Sequence, residues 1–122
     1  MNKNLSICLA NMVARCGGHG WITNSYVSGN ENEEVCDTYP RPIIENLAWL
    51  ENQLRKIGLI FEAKGIDSSY RNNWVVSWSK KDCAGTIWRI EKQGDDRQFI
   101  EISAAIEAAS KAKLWEKTME KK

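Results

Sequence analysis

Two hydrophobic spacings divide this chain. Leu5, Cys8, Leu9, Met12, Val13 and Cys16 recur at the spacing of one helix face, which predicts a helix over residues 5–16 stopped by Gly17-Gly18. Ile43, Leu47, Leu50, Leu54 and Ile57 form a second such stripe. It is entered through Tyr39-Pro40-Arg41-Pro42, where proline suits a first helical turn, and is closed by Gly58. Arg55 and Lys56 fall in its last turn, where positive charge complements the helix dipole. From Leu59 the period changes to two. Leu59, Phe61 and Ala63 alternate with Ile60, Glu62 and Lys64, which predicts a strand. Gly65 to Asn73, rich in Asp, Ser and Asn, predicts a turn region.

A tryptophan hairpin follows. Trp74, Val76 and Trp78 share one side of a strand, and Thr86, Trp88 and Ile90 share one side of the return strand. Matching the two faces predicts Trp78 opposite Trp88 and Val76 opposite Ile90, with Asp82-Cys83-Ala84 as the loop. Gln93-Gly94-Asp95-Asp96 predicts another turn, and Arg97 to Glu101 a fourth strand. Ser103 is the expected cap of a last helix whose Ala105, Ala108, Ala109, Ala112, Trp115 and Met119 line one side. The charged tail from Glu116 to Lys122 is expected to fray. From His19 to Asp37 the pattern is weak. Trp21-Ile22 and Tyr26-Val27 read as short extended pieces around a polar loop at Gly29 to Glu34.

Strands in a run bounded by helices predict an α+β protein, an antiparallel four-stranded meander sheet packed against two or three helices. The length of 122 residues fits one domain, 1–122. Residues 1–40 read as an N-terminal helix plus loop extension, and 41–118 as the helix–sheet–helix core.

Composition narrows the function classes. A hydrophobic content of 43% and a charged content of 27% describe a globular chain. A formal net charge of +1 gives no generic pull toward DNA, and nucleic acid is not the favoured partner. The apolar run from Leu5 to Ala14 is interrupted by Ser6 and Asn11, so neither a membrane span nor an export signal is expected. The cytoplasm is therefore the expected compartment, with the four cysteines as thiols.

Candidate chemistry is sparse. Cys16 and His19 stand at metal-ligand spacing, and Cys8 and Cys36 would complete a set of four. Only one close pair exists, however, and Cys8 and Cys16 occupy the apolar stripe of a helix, where cysteine acts as a small hydrophobe. No metal or other cofactor is expected. A metal- or thiol-dependent enzyme centred on Cys16 and His19, or a single-strand-binding module that stacks bases on Trp74, Trp78 and Trp88, are the alternatives. No pair of carboxylates stands out. Gly17-Gly18-His19-Gly20 lacks the lysine of a phosphate loop. Glu31, Glu33 and Glu34 in the polar loop, and Lys80, Lys81 and Asp82 at the hairpin tip, are least needed for a core. They are the expected partner contacts.

Asn73-Trp74-Val75-Val76-Ser77-Trp78, Ile87-Trp88-Arg89-Ile90 and the alanine-rich Ile102 to Ala112 resemble small phage and prophage accessory proteins of the helix–sheet–helix sandwich type. The resemblance spans roughly residues 43–112 and brings no catalytic residues with it. It implies a binding protein in the cytoplasm of a bacterial host, acting on a host or phage protein complex. Inhibition of a host defence, as by anti-CRISPR proteins, is one form this takes.

Overall fold

The computed structural model describes residues 3–29, 33–68 and 71–119. In chain order these form α1 (Lys3–Arg15), β1 (Trp21–Val27), β2 (Glu34–Pro40), α2 (Ile43–Lys56), β3 (Ile60–Ser68), β4 (Arg71–Asp82), β5 (Gly85–Gly94), α3 (Arg97–Lys111) and α4 (Leu114–Met119). The class is α+β. The strands make two antiparallel sheets, a β1–β2 ribbon and a β3–β4–β5 meander, and not one four-stranded meander.

The expected fourth strand is the first turn of α3. Asp96 is its cap, its carboxylate accepting the Phe99 N–H at 3.2 Å. That satisfies an otherwise orphan donor and starts the helix seven residues before the expected cap at Ser103. Ile100 then joins Ile102, Ala104, Ala105, Ala108 and Ala109 as the buried side of α3. The helix breaks at Lys113, whose φ of 50° is left-handed, and α4 continues to Met119. The segment expected to fray is thus helical to that point, and residues 120–122 lie outside the described residues. The expected turn region at 65–73 is also shorter than its composition suggests. β3 persists to Ser68 and β4 begins at Arg71, because ladder pairing outweighs local turn preference.

Trp74, Val76, Trp78, Trp88 and Ile90 keep their shared face, but Thr86, opposite Lys81 beyond a bulge, leaves it, and the register differs. Trp78 pairs with Ile90, Val76 with Lys92, and Trp88 with Lys80. A two-residue turn at Cys83-Ala84 displaces the strands by one residue relative to the three-residue loop expected. Alone, that would turn every side chain over. A bulge between Lys80 and Lys81 in the pairing adds a second step and restores the parity. Phe61, Trp78 and Ile90 therefore form one cross-strand row on the covered side.

The helices cover that side. α3 lies on β4 and β5, and α1 and α2 pack with it and with each other. Trp78, Val76, Leu9, Val13, Cys16, Leu50, Leu54, Ile102 and Leu114 are fully buried in the shared core, so α1 is a core helix. Both α1 and α2 end in paired bonds around a left-handed glycine. Gly18 N–H donates to Val13 O and Leu59 N–H to Leu54 O, across Gly17 (φ 92°) and Gly58 (φ 91°).

The ribbon leaves this body through a clamp. The Gly20 carbonyl accepts the Arg41 N–H at 2.9 Å and the Asn46 amide at 3.2 Å, and the same Asn46 amide reaches Arg41 O at 3.3 Å. Asn46, 1% exposed, thereby ties both ends of the ribbon to α2. Gly20 sits so close to α1 that a Cβ would overlap the Ala10 carbonyl. Gly20→Ala is expected to cost about 1–3 kcal/mol through this backbone clash. Urea unfolding checks it, and wild-type stability would place the ribbon root away from α1.

Candidate binding ribbon and helix cleft

Strand alternation gives the ribbon two unlike faces. Thr23, Ser25, Cys36 and Thr38 make the middle of one face small and polar, between Trp21–Pro40 at the root and Val27–Glu34 at the far end, with Thr23 and Thr38 hydroxyls 3.4 Å apart and Ser25 Oγ 3.3 Å from Cys36 Sγ. The other carries Ile22 opposite Tyr39, Asn24 opposite Asp37, and Tyr26 opposite Val35. On it the Asn24 amide donates to the Tyr39 hydroxyl at 2.9 Å, which fixes that ring. Tyr26 and Tyr39 are 50% and 43% exposed, and Val27 at the far end is 67% exposed. α1 touches both strands, while Tyr26, Val27 and Tyr39 stay exposed. A two-stranded hairpin with both faces wet gains little from burial of its own. Its shape is held at the root, by Asn46 and Gly20.

Charge distinguishes the ribbon as well. Residues 21–40 contain four acidic side chains and no Lys or Arg. Glu33 and Glu34 are exposed at the far end of the strands, and Ser28 N–H donates to Glu33 O at 2.8 Å beside them. Glu31 lies outside the described residues. At the root, a cleft of about 330 Å³ is lined by Val13, His19, Arg41, Glu45 and Trp49, together with the clamp residue Asn46. Arg41 holds Glu45 at 3.7 Å, while its Nε is buried with no partner among the described residues.

The second expected contact set is at the β4–β5 tip. Lys81 and Asp82 are exposed and Lys80 is half-buried. Asp82 Oδ1 accepts the Ala84 N–H at 2.8 Å, so this carboxylate closes the turn.

The four thiol and imidazole candidates are not brought together. Cys16 is buried in the core with its Sγ 3.9 Å from Met12 Sδ, and burial pushes its thiol up to about 11 against the pull of Arg15. Such a thiol is not a ready nucleophile. His19 is exposed at the root cleft, Cys8 is exposed on α1, and Cys36 is exposed on the ribbon. Among the described residues no group of three or more His, Cys, Asp or Glu stands close enough to hold a metal ion.

The tryptophans face the helices. Trp78 is 0% exposed and offers no ring face to a base. Trp74 and Trp88 are half-buried, with Arg97 4.6 Å above one ring and Lys111 6.0 Å from the centre of the other.

Sequence reasoning missed the carboxyl pair Glu51–Glu101. Glu51 is on the covered side of α2, 7% exposed, and one of its carboxylate oxygens has no partner among the described residues. Burial, a hydrogen bond to Glu101 and the Glu101 charge push its carboxyl up to about 8, opposed by Arg55 and Arg97. Arg97 stands 3.8 Å from Glu101, so the two carboxyls and this guanidinium form one group between α2 and α3. Fifty residues separate the two glutamates, and only the correct start of α3 turns Glu101 toward α2. The available signal was Glu51 falling one residue after Leu50 on the buried stripe.

Compared with known proteins, the chain matches no protein family, no curated protein and no solved structure. Among the described residues, no helix is long and apolar enough to cross a membrane.

Proposed function

We propose that this chain is a binding protein that acts by occupying a partner's surface, and that the β1–β2 ribbon is the part it presents. The observation that carries the reading is the pair of exposed tyrosines, Tyr26 and Tyr39, on one face of a ribbon tied to the body by a buried clamp. Tyrosines of this kind are frequent anchors of interfaces. The four carboxylates between residues 21 and 40, with no cation among them, select a partner protein with a basic surface.

Size says how the partner must sit. A seven-residue ribbon is about 24 Å long and about 10 Å wide, so one face projects roughly 240 Å². A standard interface takes about 800 Å² per partner. The partner must therefore wrap the ribbon or reach the body beside it. The root cleft around His19, Arg41 and Trp49 is the adjoining concavity. The resemblance to small phage accessory proteins agrees with this reading. It extends the proposal to a host complex in the bacterial cytoplasm, inhibited stoichiometrically in the manner of an anti-CRISPR protein.

Charge reversal tests the surface. Glu33→Lys with Glu34→Lys is expected to leave the fold intact and to weaken partner capture by about tenfold, with a smaller salt dependence. Lys80→Glu with Lys81→Glu at the hairpin tip is expected to leave capture unchanged. If neither pair changes affinity while Cys16→Ser or His19→Ala abolishes an activity seen at sub-stoichiometric protein, the chain is an enzyme and this reading is wrong.

A further inference from the structure

We infer that the outer edge of β3 pairs with the same edge of a second copy of this chain, antiparallel about a two-fold axis at Ala63, so that two three-stranded sheets join into one of six. The contact is independent of the ribbon. β3 pairs with β4 on one side and with no strand on the other among the described residues. Its ladder to β4 runs from Ile60 to Ser68 without a register shift, whereas the ladder of β5, the other edge strand, is broken by a bulge. β3 also contains no proline. A long edge without bulge or proline offers a row of unpaired N–H and C=O groups to another strand. α3 lies on β4 and β5, and Phe61 and Ala63 on the helix side of β3 are only half-buried.

Charge complementarity selects a second copy as the occupant. A two-fold axis normal to the sheet makes the contact self-complementary, and each register is defined by the residue on the axis. With Ala63 there, Glu62 faces Lys64 of the second copy, and Lys64 faces Glu62 of the second copy. An axis one residue away sets Glu62 against Glu62 or Lys64 against Lys64, which is unfavourable. Both side chains are exposed, and neither has an ion-pair partner among the described residues.

Gly65 is the second observation. It stands inside β3, opposite Trp74, where the ladder has no bulge. Its φ is not positive, and a Cβ on it would lie 3.5 Å from the Trp74 ring, an ordinary contact. Neither the backbone nor the packing of a single chain therefore calls for glycine. A glycine inside a strand often marks the close approach of another group. In the register about Ala63, that group is Phe61 of the second copy, directly opposite Gly65 on the helix side. An aromatic ring laid over a cross-strand glycine supports an edge of this kind. The dimer carries two ribbons, and would hold a partner with two copies of its surface more tightly than one chain can.

Sedimentation equilibrium of the purified full chain, with no partner of the ribbon present, tests the edge. The contact is smaller than the roughly 800 Å² per partner of a standard interface, so a reversible dimer with Kd on the order of 10–100 μM is expected. Glu62→Lys and Lys64→Glu are each expected to weaken it by about tenfold or more, because like charges then meet on both sides of the axis. An equimolar mixture of the two variants is expected to associate within about threefold of the native chain, because every pair across the axis is again opposite in sign. Amide hydrogen exchange in β3 of the native chain is expected to slow as the chain concentration rises. A native chain still monomeric at about 1 mM, or a mixture that associates no better than its components, would overturn the inference. So would a dimer whose β3 amides exchange as fast as the monomer's. The exchange measurement needs no variant, so it decides the matter even where a substituted chain fails to fold.

Discussion

Trp78→Ala is expected to destabilise the protein by about 3–5 kcal/mol, the range for removing a large buried aromatic. Trp78 is the largest fully buried side chain, and it is central in the covered row between Phe61 and Ile90. Its ring lies 4.9 Å from that of Phe61, tilted by 39°, an arrangement favourable to aromatic pairs. The alanine would leave a void beneath α3, which is itself packed against α1 and α2, so the site has little freedom to collapse. The sequence alone places an equal penalty on Trp88. The structure does not, because Trp88 sits opposite Lys80 on the edge strand and is half-buried. Trp88→Ala is expected to cost about half as much or less. Trp78→Phe should fall between, because it keeps a ring and removes an indole N–H that has no partner among the described residues. Chemical denaturation of the three variants gives the ranking. Near-native stability of Trp78→Ala would mean that the helices do not cover this sheet face.

Stability should also fall as pH rises from about 4.5 to about 8, and Glu51 is the cause. The carboxyl is raised from 4.5 to about 8, so the native state binds its proton more tightly than the unfolded chain does. Stability from this group is then greatest below the unfolded value and is lost progressively up to the folded one. The full shift corresponds to a change on the order of 5 kcal/mol across that window. Glu51→Gln removes the titration while keeping the shape. It is expected to match the native chain near pH 4 and to exceed it in stability at pH 9. Urea unfolding at both pH values decides this, and parallel pH profiles for the two proteins would show that Glu51 is solvated.

These two effects mark what could be read in the sequence. The apolar stripes of α1 and α2 were legible because their period is regular and Gly17 and Gly58 punctuate them. The covered face of the Trp hairpin was legible from alternation, and it survived a change of register because two one-residue steps cancel in parity. The start of α3 was not legible. Asp95-Asp96 has the composition of a turn and the function of a cap, and Phe99-Ile100 fits either period over so short a run. That single ambiguity created the false fourth strand and hid the Glu51–Glu101 pair, which exists only when Glu101 is helical. The ribbon was half legible. Its two extended pieces were visible, but the pairing of Trp21 with Pro40 depends on the buried Asn46, far along the chain. Of the expected contact residues, Glu33 and Glu34 are exposed at the far end of the ribbon, whereas Asp82 is engaged in its own turn.

The central claim is that the ribbon's tyrosine face captures a partner protein. Quantitative affinity capture from bacterial lysate tests it most directly, with the native chain compared against a folded Tyr26→Ala, Tyr39→Ala variant. One protein or complex is expected in stoichiometric amount on the native chain and reduced by about thirtyfold or more with the variant, at least the effect of losing one strong interface anchor. Equal retention by both, or no protein retained above background by the native chain, would contradict it.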